Sequence, residues 1–446
     1  MAKTFKIFLF LFLCSLFFPI RKVFFTNSAY LTGTYSDFTS FSLYLSDILL
    51  FTTWFFVLTS RGGAREWAHH VVKGSKWLII WLILAFLWHI TSANSLNWYF
   101  LLKYAELIVA YGTFAYIFSK FELKHLFLKV FIFFASIQSI IAITQFKLQH
   151  SVGFGLNILG ETLISPKTQG IAKIVSGGTV YIRGYGTFPH PNILAAFLVT
   201  AILIALYFNI KNKAKTQIWY YLALIINILG LTVTFSRAGY LAALVGISIL
   251  LISAYRVSKK LNLKAILLVF AAILLSFVLF RPFILTRATI SDSSTLQRME
   301  YNKIGIKMVS QNPIFGVGIG ESVLHMEQYA KKPLNPWEKQ PIHNYFIIAA
   351  AELGIPFSLI LIWVFFWHLN NLAASIKYQA SSKSSLTTSY LLLATFLSFL
   401  LLMMFDHYFY TIQQTQLLLW IILGIIAAQT KNPHPQTTEV DLSTKN

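Results

Sequence analysis

Apolar residues along this chain come in runs of about twenty, the length that carries a helix across the hydrocarbon core of a bilayer. The runs predict helices near 5–25, 44–60, 76–93, 97–119, 125–146 and 191–210. A second series follows near 218–235, 239–256, 264–281, 344–369, 387–407 and 413–430. The stretch from Ile218 to Tyr255 is nearly unbroken, yet as one helix it would be about 57 Å long at 1.5 Å per residue. It must fold back, and Ser236-Arg237-Ala238-Gly239 is its polar break. The expected fold is all-α, a polytopic membrane protein of about 12 transmembrane helices.

Composition removes the soluble alternative. Hydrophobic residues make up 57% of the 446 residues and charged residues 11%, against about 25% charged in a soluble domain. Mean hydropathy is +0.66. The apolar N-terminus resembles a signal peptide, but Phe17-Phe18-Pro19-Ile20 offers no small-residue cleavage pattern, so it reads as a retained first helix. The single cysteine, Cys14, leaves no disulfide framework and no cysteine-based metal site.

Charge then orients the helices. Lys and Arg number 36 against 15 Asp and Glu, a formal charge of +21. Arg61, Arg65, Lys73 and Lys76 fall in one short loop, Lys211, Lys213 and Lys215 in another, and Arg256, Lys259, Lys260 and Lys264 in a third. By the positive-inside rule all three are cytoplasmic, as are both termini; Arg21 and Lys22 fall on the wrong side. Two elaborated loops, about 147–190 and 282–343, are then outer, together with the Arg237 turn and Asp406-His407-Tyr408. Long loops are exempt from that rule, so their cations, among them Lys167, Lys173, Arg183, Arg287, Arg298 and Lys303, need another explanation. An anionic ligand is one. No internal repeat is evident; residues 1–430 read as one membrane domain and 431–446 as a polar cytoplasmic tail.

Candidate chemistry lies on that cationic outer face. Arg183 stands in a glycine-bearing turn, Arg183-Gly184-Tyr185-Gly186, ahead of Asn192 at the start of an apolar helix. Such a turn lets a ligand approach backbone, and a helix N-terminus favours an anion; a re-entry turn with a snorkelling arginine fits the residues equally. Arg237, at a helix-turn tip, either anchors at the interface or binds a phosphate. Residues 296–310, including Arg298, mix apolar and basic positions as helices lying on a membrane surface do. His343 closes the outer loop just before a helix, where an imidazole can take a proton from a hydroxyl or simply anchor the chain. Glu352 lies too far along and around that helix to pair with it. The glycines 316, 318 and 320 lack the strand-turn-helix setting of a nucleotide site. No HExxH, paired-Asp or Cys/His motif supplies an obvious metal ligand set.

Over about 180–370, these segments resemble the O-antigen ligase and O-antigen polymerase superfamily of bacterial surface-glycan enzymes. The resemblance rests on Arg183 with Gly186 and Asn192, on Ser236-Arg237, and on Arg298 ahead of Asn312-Pro313-Ile314-Phe315-Gly316-Val317-Gly318. Its most specific part is His343-Asn344, then nine residues, then Gly354. His190 and Asp406-His407 have no counterpart in that pattern.

The resemblance implies a metal-independent, cofactor-free, inverting glycosyltransferase of the bacterial inner membrane, with its site facing the periplasm. It would move a glycan from undecaprenyl pyrophosphate, or a similar polyprenyl carrier, to a lipid, glycan or protein hydroxyl, as in lipopolysaccharide assembly. Arg183, Arg237 and Arg298 would hold the pyrophosphate, His343 would serve the acceptor hydroxyl, and Asn192, Ser236, Asn344 and Gly354 would support them. Nucleic acid is not an expected partner. The alternatives are a polymerase that extends carrier-linked glycan and, from another class, a lipid-linked glycan flippase.

Overall fold

The computed structural model describes residues 2–31, 33–89, 95–121, 123–211, 217–260, 262–289, 293–378 and 383–429. The predicted tail 431–446, and Lys213 and Lys215, lie outside them. The first part of the chain runs α1 (Ala2–Phe17), β1 (Arg21–Phe24), β2 (Tyr30–Leu31), β3 (Thr34–Tyr35), β4 (Phe41–Tyr44), α2 (Leu45–Thr59), α3 (Gly63–His89), α4 (Ser95–Lys120) and α5 (Lys124–Leu148). The middle runs β5 (Lys173–Ser176), β6 (Thr179–Ile182), α6 (Pro191–Lys211), α7 (Gln217–Val233), α8 (Arg237–Ser258), α9 (Leu263–Thr289), α10 (Ser293–Gln311) and α11 (Ser322–Tyr329). The chain finishes with α12 (Tyr345–Tyr378), α13 (Lys383–Phe405), α14 (Tyr408–Thr411) and α15 (Gln413–Gln429).

Every apolar run forms a helix, and the architecture is that of an all-α polytopic membrane protein. Among the described residues seven helices can cross a membrane by length and composition, α4, α5, α6, α8, α9, α12 and α13, or up to eight with the bent pair Gly63–Gly74 and Lys76–Leu87 of α3. This is fewer than twelve because Phe5–Phe17, Leu45–Thr59, Gln217–Val233 and Gln413–Gln429 are shorter apolar helices. The central helix is α6, apolar all round and 94% buried in its spanning window, whereas α9, at 22%, rides the periphery.

Several boundaries differ from the sequence reading, each for a local reason. Helix α1 stops at Phe17, before Pro19, and residues 21–44 pair as two small antiparallel hairpins, β1 with β4 and β2 with β3. A third hairpin pairs β5 with β6. The basic stretch expected as a loop at 61–76 is mostly helical, with Arg65, Lys73 and Lys76 on α3 and an 85° bend beside them. Pro282 does not end α9. The helix kinks at Phe280 and runs on to Thr289, so Arg287 sits in its last turn. The break between α7 and α8 falls where predicted, with the Ser236 hydroxyl accepting from the Gly239 N–H as the N-cap of α8.

The glycine series has a structural use. Helix α12 breaks at Gly354, whose φ of 77° and ψ of 167° are non-helical, and segment 313–322 docks into the gap. Val317 N–H donates to Ala351 O, Gly318 N–H to Glu352 O, and Ile355 N–H to Pro313 O. The Glu352 carboxylate caps the same turn, accepting from Gly320 N–H at 2.7 Å and from the Ser322 hydroxyl at 2.6 Å. A side chain at Gly316 would strike the Glu352 backbone, and one at Gly354 the Ile314 carbonyl. Glu352 is therefore the clasp of a turn.

Candidate active site

Four loop or helix-end segments meet at one end of the bundle: the turn 183–192, the start of α10, Pro341–Asn344, and the α13–α14 turn. Arg183, just after β6, is 4% exposed. Its Nε donates to Thr234 O at 2.5 Å and its Nη2 to Asn192 Oδ1 at 2.8 Å. Asn192 passes the contact on, its Nδ2 donating to Asp406 Oδ2 at 2.8 Å. Arg298, on α10, reaches the same carboxylate oxygen at 3.5 Å. Asp406 thus joins two of the three predicted arginines into one relay.

Arg237 sits apart from that relay. It is exposed, opens α8, and donates from Nη2 to Thr295 Oγ1 at 2.9 Å, three residues before Arg298 on α10. The guanidiniums of Arg287 and Arg298 also act on Arg183. Burial first, then Arg287 and Arg298, push Arg183 down to about 9. It stays protonated at neutral pH, but its charge is held against repulsion that a bound anion would relieve.

His343 lies beside this cluster. Its Nδ1 is 2.9 Å from Pro341 O, and a carbonyl only accepts, so Nδ1 carries the proton and Nε2 the lone pair. The ring stacks on Tyr301 of α10, centroids 5.5 Å apart and 16° between planes. On its other side His407 stands edge-on at 4.9 Å. His407 Nδ1 is 2.7 Å from Thr411 Oγ1, and Phe38, from the loop between β3 and β4, meets the His407 ring at 5.6 Å.

Electrostatics keep both imidazoles neutral. Burial pushes His343 below its ordinary value of 6.5 against the opposing pull of Asp406, and pushes His407 down to about 3. His190, whose Nδ1 accepts from the Asn192 N–H at 3.1 Å, is lowered by burial and then by Arg183. For Asp406 burial alone would raise the carboxyl, but Arg298, His343 and His407 outweigh it and hold it below the usual carboxylate range. The site pairs an ionised aspartate and clustered arginines with neutral histidines.

Asn344 does two jobs. Its Oδ1 accepts from Phe346 N–H and Ile347 N–H to cap α12, while its Nδ2 donates to Met404 O at 2.9 Å, tying the start of α12 to the end of α13 beside Asp406. Of the predicted residues, the structure gathers Arg183, Asn192, Arg298, His343 and Asn344, with Arg237 and its cap Ser236 at the margin. Gly354 is not among them; it lies about 15 Å down α12 by helix rise.

What the sequence did not supply is Asp406 and His407. With His343 they offer ligand atoms that all lie within 4.8 Å of one another, a three-residue set invisible to local motif reading because Asp406 follows His343 by 63 positions. Such a set could hold a metal ion. Here, however, Asp406 already accepts from Asn192, Arg298 and the His407 N–H, and the nearby guanidiniums oppose a second cation. The arrangement suits an anion next to a basic imidazole.

Fold and site together define a polytopic membrane protein with guanidiniums gathered around one carboxylate at one end of its helix bundle. Residues 222–357 match the family model described as O-antigen ligase; the match supports the resemblance of this stretch to the O-antigen ligase superfamily and a membrane enzyme of ligase or polymerase type. The search of curated proteins returned no match. The matched stretch contains Ser236, Arg237, Arg298, His343, Asn344 and Gly354. Arg183, Asn192, Asp406 and His407 fall outside it.

Proposed function

We propose that this protein is a glycan ligase that transfers a glycan from a polyprenyl-pyrophosphate carrier to an acceptor hydroxyl. The single observation that carries the reading is the relay Arg183–Asn192–Asp406–Arg298 beside the neutral, Nδ1-protonated His343. In this reading twelve helices cross the bacterial inner membrane and the site faces the periplasm.

Arg183, Arg237 and Arg298 hold the pyrophosphate through charge-assisted hydrogen bonds and stabilise the negative charge that grows on it. The acceptor oxygen attacks the anomeric carbon from the opposite face, with inversion. The carbon–oxygen bond to the pyrophosphate breaks, its electron pair leaving on the carrier, and His343 Nε2 takes the acceptor proton. The glycosyl-pyrophosphate bond supplies the driving force, so neither nucleotide nor metal is required. Asp406 orients Asn192 and Arg298 and favours the imidazolium that His343 becomes.

The test is transfer by purified protein from a polyprenyl-pyrophosphate-linked oligosaccharide to lipid, glycan and peptide acceptors, with and without a chelator. We expect a single transfer per acceptor, unaffected by the chelator and lost in His343→Ala. Products growing by repeats on a second carrier would make the protein a polymerase. Donor translocation without covalent transfer would make it a flippase.

A further inference from the structure

The chain between α1 and α2 takes no part in the proposed chemistry, yet it carries an aromatic face. Phe25, Tyr30 and Tyr35 are 68%, 48% and 37% exposed. Their rings are neighbours, Tyr35 meeting Phe25 edge-on at 5.7 Å and Tyr30 edge-on at 6.2 Å. Tyr30 and Tyr35 are cross-strand partners in the β2–β3 hairpin, which sets their spacing. The Ser36 N–H, donating to Ala29 O at 2.8 Å, continues the ladder past them.

Water, and not lipid tails, meets these rings. Both strands are two residues long, and open strand edges or irregular backbone exposed to lipid are not tolerated within the hydrocarbon core. Large apolar groups held in water mark a binding surface, and the polar groups beside them say for what. Tyr35 Oη donates to Asp37 Oδ1 at 2.6 Å, and Arg21 Nη2 to the same oxygen at 2.7 Å. Arg21, out of place by loop charge, thus fixes this carboxylate. Asp37 is 43% exposed, and among the described residues no hydrogen bond reaches its Oδ2. An ionised carboxylate oxygen accepts strongly from hydroxyls. Flat aromatic faces take the C–H side of a sugar ring, whose weakly positive hydrogens meet the negative π face. Phe38, the residue after Asp37, sets its ring 5.6 Å from that of His407, so the face begins at the wall of the candidate active site.

We propose that Phe25, Tyr30, Tyr35 and Asp37 form a saccharide-binding subsite that holds sugar rings of a glycan beyond the one that reacts. The rings give stacking area, Asp37 takes hydroxyl protons, and Phe38 leads the chain of sugars toward His343 and His407. Rings and carboxylate are already held by their own contacts, so little order is lost on binding. That the glycan is the donor's or the acceptor's rests on the ligase reading above; that it is a saccharide does not.

The experiment titrates the purified full chain, in a detergent without a sugar headgroup, with maltohexaose, mannohexaose and hexa-N-acetylchitohexaose, and reads saturation-transfer NMR. Wild type is expected to bind at least one of them saturably. Combining Phe25→Ala with Tyr30→Ala should weaken that binding about tenfold in Kd, a few-fold per ring, with the unfolding midpoint unchanged because both side chains are exposed. Asp37→Asn keeps the shape and should weaken binding with the rings intact. No saturable binding by wild type, or equal binding by all variants, would overturn the proposal. Binding without any transfer would leave the subsite standing and sink the ligase reading alone. Where transfer occurs, a KM raised in the double variant for the donor or for the acceptor tells which glycan lies there, and neither rising would overturn the subsite's part in the reaction. A nitroxide on Thr34→Cys in a Cys14→Ser background, in nanodiscs, should relax with an aqueous nickel chelate; relaxation by oxygen alone would place the hairpin in lipid and overturn the proposal.

Discussion

His343 and Gly354 belong to one sequence spacing, yet they occupy regions of opposite character. Around His343 the structure collects several guanidiniums about a single carboxylate, with imidazoles kept neutral by burial, so that positive charge outnumbers its partners. Around Gly354 the contacts are mutually satisfied, with the 313–322 turn bonded to the broken helix and Glu352 closing it. The first region stores unmet electrostatic demand, as a binding site does. The second removes such demand, as a joint does. A single sequence spacing can therefore join two residues whose surroundings do different work.

Substitutions should separate the two regions cleanly. His343→Ala is expected to lower the transfer rate by about 10²–10⁴-fold, the usual contribution of a general base, with the unfolding midpoint unchanged; a lowered midpoint with proportionate activity would place His343 in the joint instead. Gly354→Ala should do the reverse. Its Cβ would strike the Ile314 carbonyl and demand a positive φ, costing about 2–4 kcal/mol of stability, read in thermal unfolding, while whatever protein remains folded keeps its affinity for the donor.

Smaller effects sharpen the site itself. Arg237→Lys keeps the charge but loses the planar fork, and should cost about tenfold or more in turnover; wild-type rates would rule out bidentate binding by this residue. Asp406→Asn removes the one charge that raises the His343 value, so the acid limb of the pH–rate profile should move to lower pH. A limb that stays in place would uncouple Asp406 from the base. Ser236→Ala, which removes only a helix cap, should cost about 1 kcal/mol of stability and leave transfer kinetics intact.

The sequence was most legible where one physical constraint acts alone. Apolar run length located the seven helices long and apolar enough to cross a membrane among the described residues, though not the short ends of the other apolar helices, and the Ser236-Arg237 break was visible because nothing else charged interrupts Ile218 to Tyr255. Helix ends were harder. Pro282 reads as a stop, but a kink at Phe280 lets α9 continue, and the basic 61–76 segment folds as helix despite its loop-like charge. Arg183, Asn192, Arg298 and His343 were legible as chemistry at helix starts and turns. Their assembly was not, because Asp406 enters from a short turn between apolar helices with no local signal beyond its polarity. The glycines 316, 318 and 320 were read only as lacking a nucleotide-site setting; Gly316 marks close approach to the α12 backbone and Gly320 to the Phe100 ring of α4, properties of the neighbour and not of the local sequence.

The bond from Asn192 to Asp406 closes a loop of 214 residues, and this sets an order on biosynthesis. A nascent chain that has inserted every helix up to α12 already contains Arg183 and Arg298, but Asp406, the carboxylate that joins them, has yet to emerge. Until α13 has entered the membrane and the turn behind it has swung against Asn192, the arginines have no common anchor. Arg183 and Arg298 are thus made long before the residue that joins them.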